Sequence, residues 1–254
     1  MVRYLSGVRH PELDAYAVSG GEYGVRPPLG VLVQPLTAAY LRDAHRYYDY
    51  CGIDNGCFTE AGRARFTLRG YERLVRTALD RYGPDLLFAT APDVPLDWAA
   101  TLRASLPTLG TIRRWGCPAA LVWQDGATVA NVPWDAFDVA FIGGSTGWKL
   151  GPVAARLTAE ARRRGKLVHM GRVNSTRRML VARRFGCDTA DGTFLKHEIE
   201  KGVCPTEAVC RMADWLRACF AADQDEVRAD LVRAWPALAN PGRMKRLRMA
   251  GLVW

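Results

Sequence analysis

The sequence predicts an α/β protein built as a (β/α)8 TIM barrel, and three observations carry that expectation. Short runs of Val, Ile, Leu, Phe and Ala recur along the chain, each followed by a turn and then by Arg, Ala, Leu and Glu at helical spacing. Strand and helix therefore alternate, which implies a parallel sheet with crossover helices. A length of 254 residues accommodates seven or eight such units, and that number favours a closed barrel over an open, doubly wound sheet.

The elements follow in order. Residues 1–28 are rich in Gly, Tyr and Pro, and the alternating piece Ala15 to Ser19 reads as an edge hairpin or cap. Residues 29–205 form the expected catalytic barrel. Its strand runs are Leu29 to Val33, Tyr50 to Ile53, Leu86 to Ala89, Ala119 to Trp123, Val139 to Ile142, Leu167 to Met170 and the weaker Cys187 to Ala190. Helical spacing falls between them over Leu68 to Tyr82, Leu96 to Leu106, Val153 to Arg164 and Ser175 to Phe185. Residues 206–254 read as a C-terminal helical tail packed on the barrel: Thr206 to Phe220, Asp225 to Trp235, and a basic segment Arg243 to Arg248 after the break at Asn240-Pro241-Gly242.

Composition narrows the class. Hydrophobic residues at 49% and charged residues at 24% are globular usage, which excludes wholesale disorder and fibrous repeats. Lys and Arg number 35 against 26 Asp and Glu, and the resulting net charge of +9 favours a polyanionic partner such as nucleic acid. Seven cysteines, an odd number with no secretory leader, point to a reducing cytoplasm rather than a disulfide framework. No stretch approaches the roughly 18 to 20 apolar residues of a membrane span, so no membrane partner is expected.

In a parallel barrel, chemistry sits just after each strand, at the carboxyl ends. Those positions hold Asp54-Asn55-Gly56, Thr90-Ala91-Pro92-Asp93, Gln124-Asp125-Gly126, Gly143-Gly144-Ser145, Gly171-Arg172 and Asp188-Thr189-Ala190-Asp191. Two carboxylates across a barrel mouth suit glycosidic-bond chemistry, one attacking an anomeric carbon and the other handling protons. An Asp accepting from a purine, a Gln bonding its carbonyl and the N–H groups of a Gly-Gly turn make a purine reader.

The ordered set Gly52-Ile53-Asp54-Asn55-Gly56-Cys57-Phe58, Trp123-Gln124-Asp125-Gly126, Ile142-Gly143-Gly144, His169-Met170-Gly171 and Gly186 to Asp191 resembles the tRNA-guanine transglycosylase superfamily. Met170 to Ser175, and Asp191-Gly192-Thr193 where the tRNA enzymes have Asp-Cys, are more similar to the DNA 7-deazaguanine transglycosylases of bacteria and phages. The resemblance implies that Asp191 is the nucleophile on C1′ and Asp54 the general base. It implies that Asp93, Gln124 and the Gly143-Gly144 backbone read the base, with Met170-Gly171 as the pocket wall. The implied reaction is ping-pong exchange of guanine in DNA for a 7-deazaguanine such as preQ0, with retention and with no cofactor. The implied partners are DNA, guanine and the free deazaguanine, in the cytoplasm of a bacterial or phage-infected cell, with a homodimer left open.

One departure bears on metal. The tRNA enzymes hold structural zinc with Cys-x-Cys-x-x-Cys and a later His, whereas here only His197, Cys204, Cys210 and Cys219 follow Asp191, at a different spacing. The spacing does not support structural zinc, which leaves either a rearranged site on these four residues or a dropped zinc subdomain, and Cys210 and Cys219 also read as small core residues of a helix. The glycines Gly143, Gly144 and Gly147 lack the Gly-x-Gly-x-x-Gly spacing, so no dinucleotide cofactor is expected.

Several residues carry a structural reading beside the functional one. Asp54 suits a turn, Asp93 a helix cap, Asp188 a hydrogen-bond anchor, and His169 a satisfied barrel interior position. Lys149 and Arg172, which follow strand ends, and Arg177 and Arg178 are the expected phosphate contacts around the mouth; Arg162 to Arg164 end a helix. The competing functions are the same exchange on tRNA, a noncatalytic nucleic-acid-binding barrel, and a hydrolase of small nucleosides.

Overall fold

The computed structural model describes residues 2–19 and 29–221, with side chains through Leu216. Parallel strands β1 (Arg3–Ser6), β2 (Leu29–Val33), β3 (Tyr50–Ile53), β4 (Leu86–Thr90), β5 (Ala119–Trp123), β6 (Val139–Ile142), β7 (Leu167–Met170) and β8 (Thr189–Gly192) pair in sequence order. β8 returns to β1 with Leu5 opposite Asp191, closing a (β/α)8 barrel. Around it lie α1 (Pro11–Ser19), α2 (Glu60–Arg65), α3 (Leu68–Tyr82), α4 (Trp98–Arg114), α5 (Thr146–Lys149), α6 (Pro152–Arg163), α7 (Thr176–Phe185), α8 (Phe194–Glu200) and α9 (Pro205–Ala221).

The barrel begins earlier than the sequence reading placed it. Arg3–Ser6, within the segment expected as a cap or hairpin, is the first barrel strand, paired with β2 on one side and β8 on the other. It escaped notice because only Tyr4 and Leu5 are apolar in a four-residue strand. Ala15 to Ser19 is helical rather than extended, since Leu13 and Ala17, four residues apart, are the buried positions of α1. The last strand lies two residues beyond Cys187, whose N–H closes α7 on the Ala182 carbonyl after the left-handed Gly186. Helix α4 starts at Trp98, capped by Asp97, and continues through Pro107 to Arg114. The expected helix Asp225 to Trp235 and the basic segment Arg243 to Arg248 lie outside the described residues.

Alternation along each strand sorts the side chains into two layers. Outward residues such as Tyr4, Val31, Ile53, Trp123, Ile142, Met170 and Ala190 join the core between barrel and helices, where each large apolar side chain contributes about 1.5–3 kcal/mol. Inward residues Leu5, Phe88, Val122 and Phe141 fill the barrel. Gly30 and Gly52 make room for them, for a Cβ there would stand 2.3 Å from Leu5 and 2.8 Å from Phe88 respectively. Among the described residues, no helix is long and apolar enough to cross a membrane.

Candidate active site

The same alternation selects the site residues. Thr189 and Asp191 share the inward side of β8 with His169 of β7, while Ala190 and Met170 turn outward. Asp188 lies before the strand, where it accepts from the Val168 N–H at 2.8 Å and pairs with Arg162, the anchoring role. Asp191 is therefore the carboxylate that enters the barrel mouth. It borders a cavity of about 430 Å³ together with Asp54, Asp93, Gln124, Gly143, Gly171 and Arg172.

Two donors hold Asp191. His169 Nε2 stands 2.8 Å from Oδ1, and the Arg172 N–H donates to Oδ2 at 3.3 Å. The other imidazole nitrogen, Nδ1, meets the Thr189 hydroxyl at 2.7 Å. An ionised carboxylate only accepts, so Nε2 carries the hydrogen and a neutral ring accepts at Nδ1 from Thr189. The ring is fully buried between Phe88 and Phe141, with centroids 4.8 and 4.4 Å away.

Asp93 and Asp54 form the opposite side. Asn55 Nδ2 donates to one Asp93 oxygen at 3.0 Å and Gln124 Nε2 to the other at 2.7 Å. Burial raises the Asp93 pKa against these two hydrogen bonds. Helix α4 is capped by Asp97, which leaves Asp93 to the cavity. The Gly56 N–H donates to Asp54 Oδ2 at 3.2 Å, the turn-forming contact. Burial, then the charges of Asp93 and Asp191, push the Asp54 carboxyl up to about 7. One side chain thus shapes the turn and stands poised to exchange a proton near neutrality.

Gln124 is saturated at its carbonyl, which accepts from the Leu96 and Gly144 N–H groups at 3.0 and 2.8 Å. It positions Asp93 and retains one free amide hydrogen. The Gly143-Gly144 N–H groups were expected to read a base, but both are engaged, Gly143 on the Trp123 carbonyl and Gly144 on Gln124. What Gly143 supplies is a flat wall: a Cβ there would stand 2.7 Å from Val122 and 2.9 Å from the Trp123 carbonyl. Met170 packs outward in the core, so Gly171 alone of that pair borders the cavity. Exposed Phe58 and Leu96 form an apolar rim.

Of the four expected phosphate contacts only Arg172 borders the cavity, donating to the Gly144 carbonyl and lying over the Phe58 ring. Lys149 is fully buried, with Nζ on the carbonyls of Gly171 at 2.5 Å and Arg172 at 3.4 Å, and cannot meet a phosphate. Burial, then Arg172 and Arg178, push its amine down to about 7. Arg178, half-buried, donates to the same Arg172 carbonyl at 2.9 Å, and Arg177 beside it is half-buried. Together Lys149 and Arg178 hold Arg172 at φ 58°, a left-handed conformation that costs a non-glycine residue about 1–3 kcal/mol. That conformation aims the Arg172 N–H at Asp191.

Among the described residues no group of three or more His, Cys, Asp or Glu could hold a metal ion. His197 sits at the cavity rim and meets the Thr193 hydroxyl at 3.1 Å, while Cys204 and Cys210 are exposed free thiols. The Cys219 side chain lies outside the described residues.

Sequence reasoning gave no positioning role to His169, Thr189 or Asn55, and assigned Lys149 to phosphate rather than to the carbonyls of Gly171 and Arg172. The signal for His169 was its inward register opposite Thr189 on β8.

No protein-family model matches the chain, and no curated protein matches it. Similar solved structures include the tryptophan synthase subunit alpha from Legionella pneumophila str. Paris, at 10% identity over 86% of this chain and 91% of that one, with a TM-score of 0.50. A 4-hydroxy-2-oxoglutarate aldolase/2-deydro-3-deoxyphosphogluconate aldolase from TTHB1 is 12% identical over 86% and 92%, with a TM-score of 0.50. A mandelate oxidase is 16% identical over 94% and 73%, with a TM-score of 0.52. At these identities the likeness is one of fold alone.

Proposed function

We propose that the chain is an enzyme, a base-exchanging transglycosylase that replaces guanine in DNA with a 7-deazaguanine such as preQ0 (7-cyano-7-deazaguanine). The observation that carries the reading is Asp191 in the barrel mouth, fixed by His169 and the Arg172 N–H, in one cavity with Asp54 and Asp93. The ordered motifs support the choice of guanine and its 7-deaza analogues. The departure at His197, Cys204, Cys210 and Cys219 from zinc spacing, and Asp191-Gly192-Thr193, favour DNA over tRNA.

In this mechanism the target nucleotide leaves the stack and its base enters the cavity, at a cost of a few kcal/mol. Asp93 accepts from the N1–H and exocyclic amine of guanine, using lone pairs that Asn55 and Gln124 leave free. Asp191 attacks C1′ while the C1′–N9 bond breaks, and protonated Asp54 supplies the hydrogen to the departing purine. The deazaguanine then occupies the same place, gives its N9 hydrogen to Asp54, and attacks C1′ to release Asp191. Two inversions give retention, and one glycosidic bond is exchanged for another with no external energy source.

The test is release of labelled guanine from DNA and from tRNA, side by side, with unlabelled preQ0 present. Release from DNA is the expected result. Release from tRNA alone transfers the reading to RNA, and release from neither, at any salt concentration, overturns it.

A further inference from the structure

A second cleft lies outside the barrel mouth. It has a volume of about 410 Å³, between the 3-10 segment Pro35–Arg42 and helices α2 and α3. Tyr71, Leu74 and Leu41 wall it, Arg65 and Arg73 stand at its edge, and Asn55-Gly56 form its inner end. That inner end is the peptide that follows Asp54, so the cleft and the mouth share one loop.

The charge on this face is unbalanced. Arg65 ends α2, and Arg69 and Arg73 are one turn apart on the exposed side of α3. Among the described residues none of these three has a carboxylate partner, whereas the neighbouring Arg76 pairs with Glu72 at 2.8 Å and Arg63 donates to the Cys57 carbonyl at 2.9 Å. Leu36, 70% exposed, adds an apolar surface on the opposite edge. Unpaired guanidiniums beside a partly apolar trough suit a phosphodiester backbone with sugars and bases against the wall. None of the residues expected to contact phosphate from their sequence position lies here.

We propose that this cleft is the track for a single strand of DNA leading to the barrel mouth, with Arg65, Arg69 and Arg73 on its phosphates. The inference rests on the DNA reading above and extends it by naming the surface that holds the polymer. It also accounts for how a mouth whose expected Lys149 is buried still engages a polyanion: the contacts come from the β3 side rather than from the β6 to β7 side.

Binding of a fluorescein-labelled 20-nucleotide single strand, measured by anisotropy against KCl concentration, tests it. The variant Arg65→Gln/Arg69→Gln/Arg73→Gln is compared with wild type and with Arg81→Gln/Arg103→Gln/Arg156→Gln, an equal charge loss on exposed positions of other helix faces. Loss of three phosphate contacts makes the slope of log K against log salt shallower by about 2. Lines that meet at 1 M salt then stand about a hundredfold apart at 0.1 M. The control triple keeps a slope close to wild type, and Arg65→Lys/Arg69→Lys/Arg73→Lys regains it. Equal slopes for the two Gln triples, or a wild type that binds no single strand, overturn the cleft while leaving the exchange reading to the guanine-release assay.

Discussion

His169 Nε2 lies 2.8 Å from Asp191 Oδ1, and the ring that carries it is closed off by Phe88, Phe141 and the Thr189 hydroxyl. The imidazole is thus held in place from three directions and presents one donor to the proposed nucleophile. Positioning of this kind matters because a misplacement of about 1 Å costs on the order of a hundredfold in rate.

His169→Phe preserves the aromatic packing and deletes the donor. It is expected to lower kcat about a hundredfold with little change in KM, while His169→Gln, which retains an N–H, recovers part of the loss. Steady-state exchange kinetics check this, and an unchanged kcat for His169→Phe removes His169 from the mechanism.

Asp54 gives a pH signature with a definite sign. Its folded pKa, about 7, lies above the ordinary value of about 4, so the native state holds the proton more tightly than the unfolded chain. Its contribution to stability is complete below about pH 4 and is lost as the pH rises to about 7. Asp54→Asn removes this slope and is expected to exceed wild type at pH 8 by on the order of 2 kcal/mol. Urea unfolding across pH checks the difference, and parallel curves contradict it. Formation of the covalent half-reaction product, which needs protonated Asp54, is expected to slow above about pH 7.

Lys149 carries the opposite sign. Its folded pKa, about 7, lies below the ordinary value of about 10.4, so wild type gains stability relative to Lys149→Met as pH rises from about 7 to 10. The same variant frees the Gly171 carbonyl and leaves the Arg172 carbonyl to Arg178 alone, and exchange is expected to fall at least about tenfold as the Arg172 N–H loses its aim at Asp191. Full activity in Lys149→Met limits the lysine to a packing role.

Gly171→Ala tests the shape of the mouth. A Cβ there would stand 2.6 Å from Phe141 and 3.3 Å from Asp191 Oδ1, so the added methyl intrudes at the nucleophile. The variant is expected to lose about a hundredfold or more in kcat/KM, at a stability cost of about 1–3 kcal/mol. A crystal structure with Phe141 and Asp191 unmoved, together with normal activity, contradicts this.

Much of the barrel was legible because buried parallel strands read as continuous apolar runs, and β2, β3, β5, β6 and β7 fall where those runs lie. β1 was not, since four residues flanked by polar sequence carry too little pattern, and its place is set by pairing with a strand nearly the whole barrel away in sequence. Strand ends revealed Asp54, Asp93, Gln124 and Asp191 as neighbours in one cavity. Hydrogen-bond partners were invisible: nothing local in the sequence says that Gly144 spends its N–H on Gln124, or that Lys149 turns inward. His169 shows how two readings merge, for it is a satisfied interior histidine and one of its two partners is the proposed nucleophile.

The most direct test of the central claim is mass spectrometry of nucleosides from DNA incubated with preQ0 and either wild type or Asp191→Asn. The account predicts a 7-cyano-7-deazaguanine deoxynucleoside with wild type and none with the folded variant. A peak of equal size with Asp191→Asn, or no peak with wild type, contradicts it.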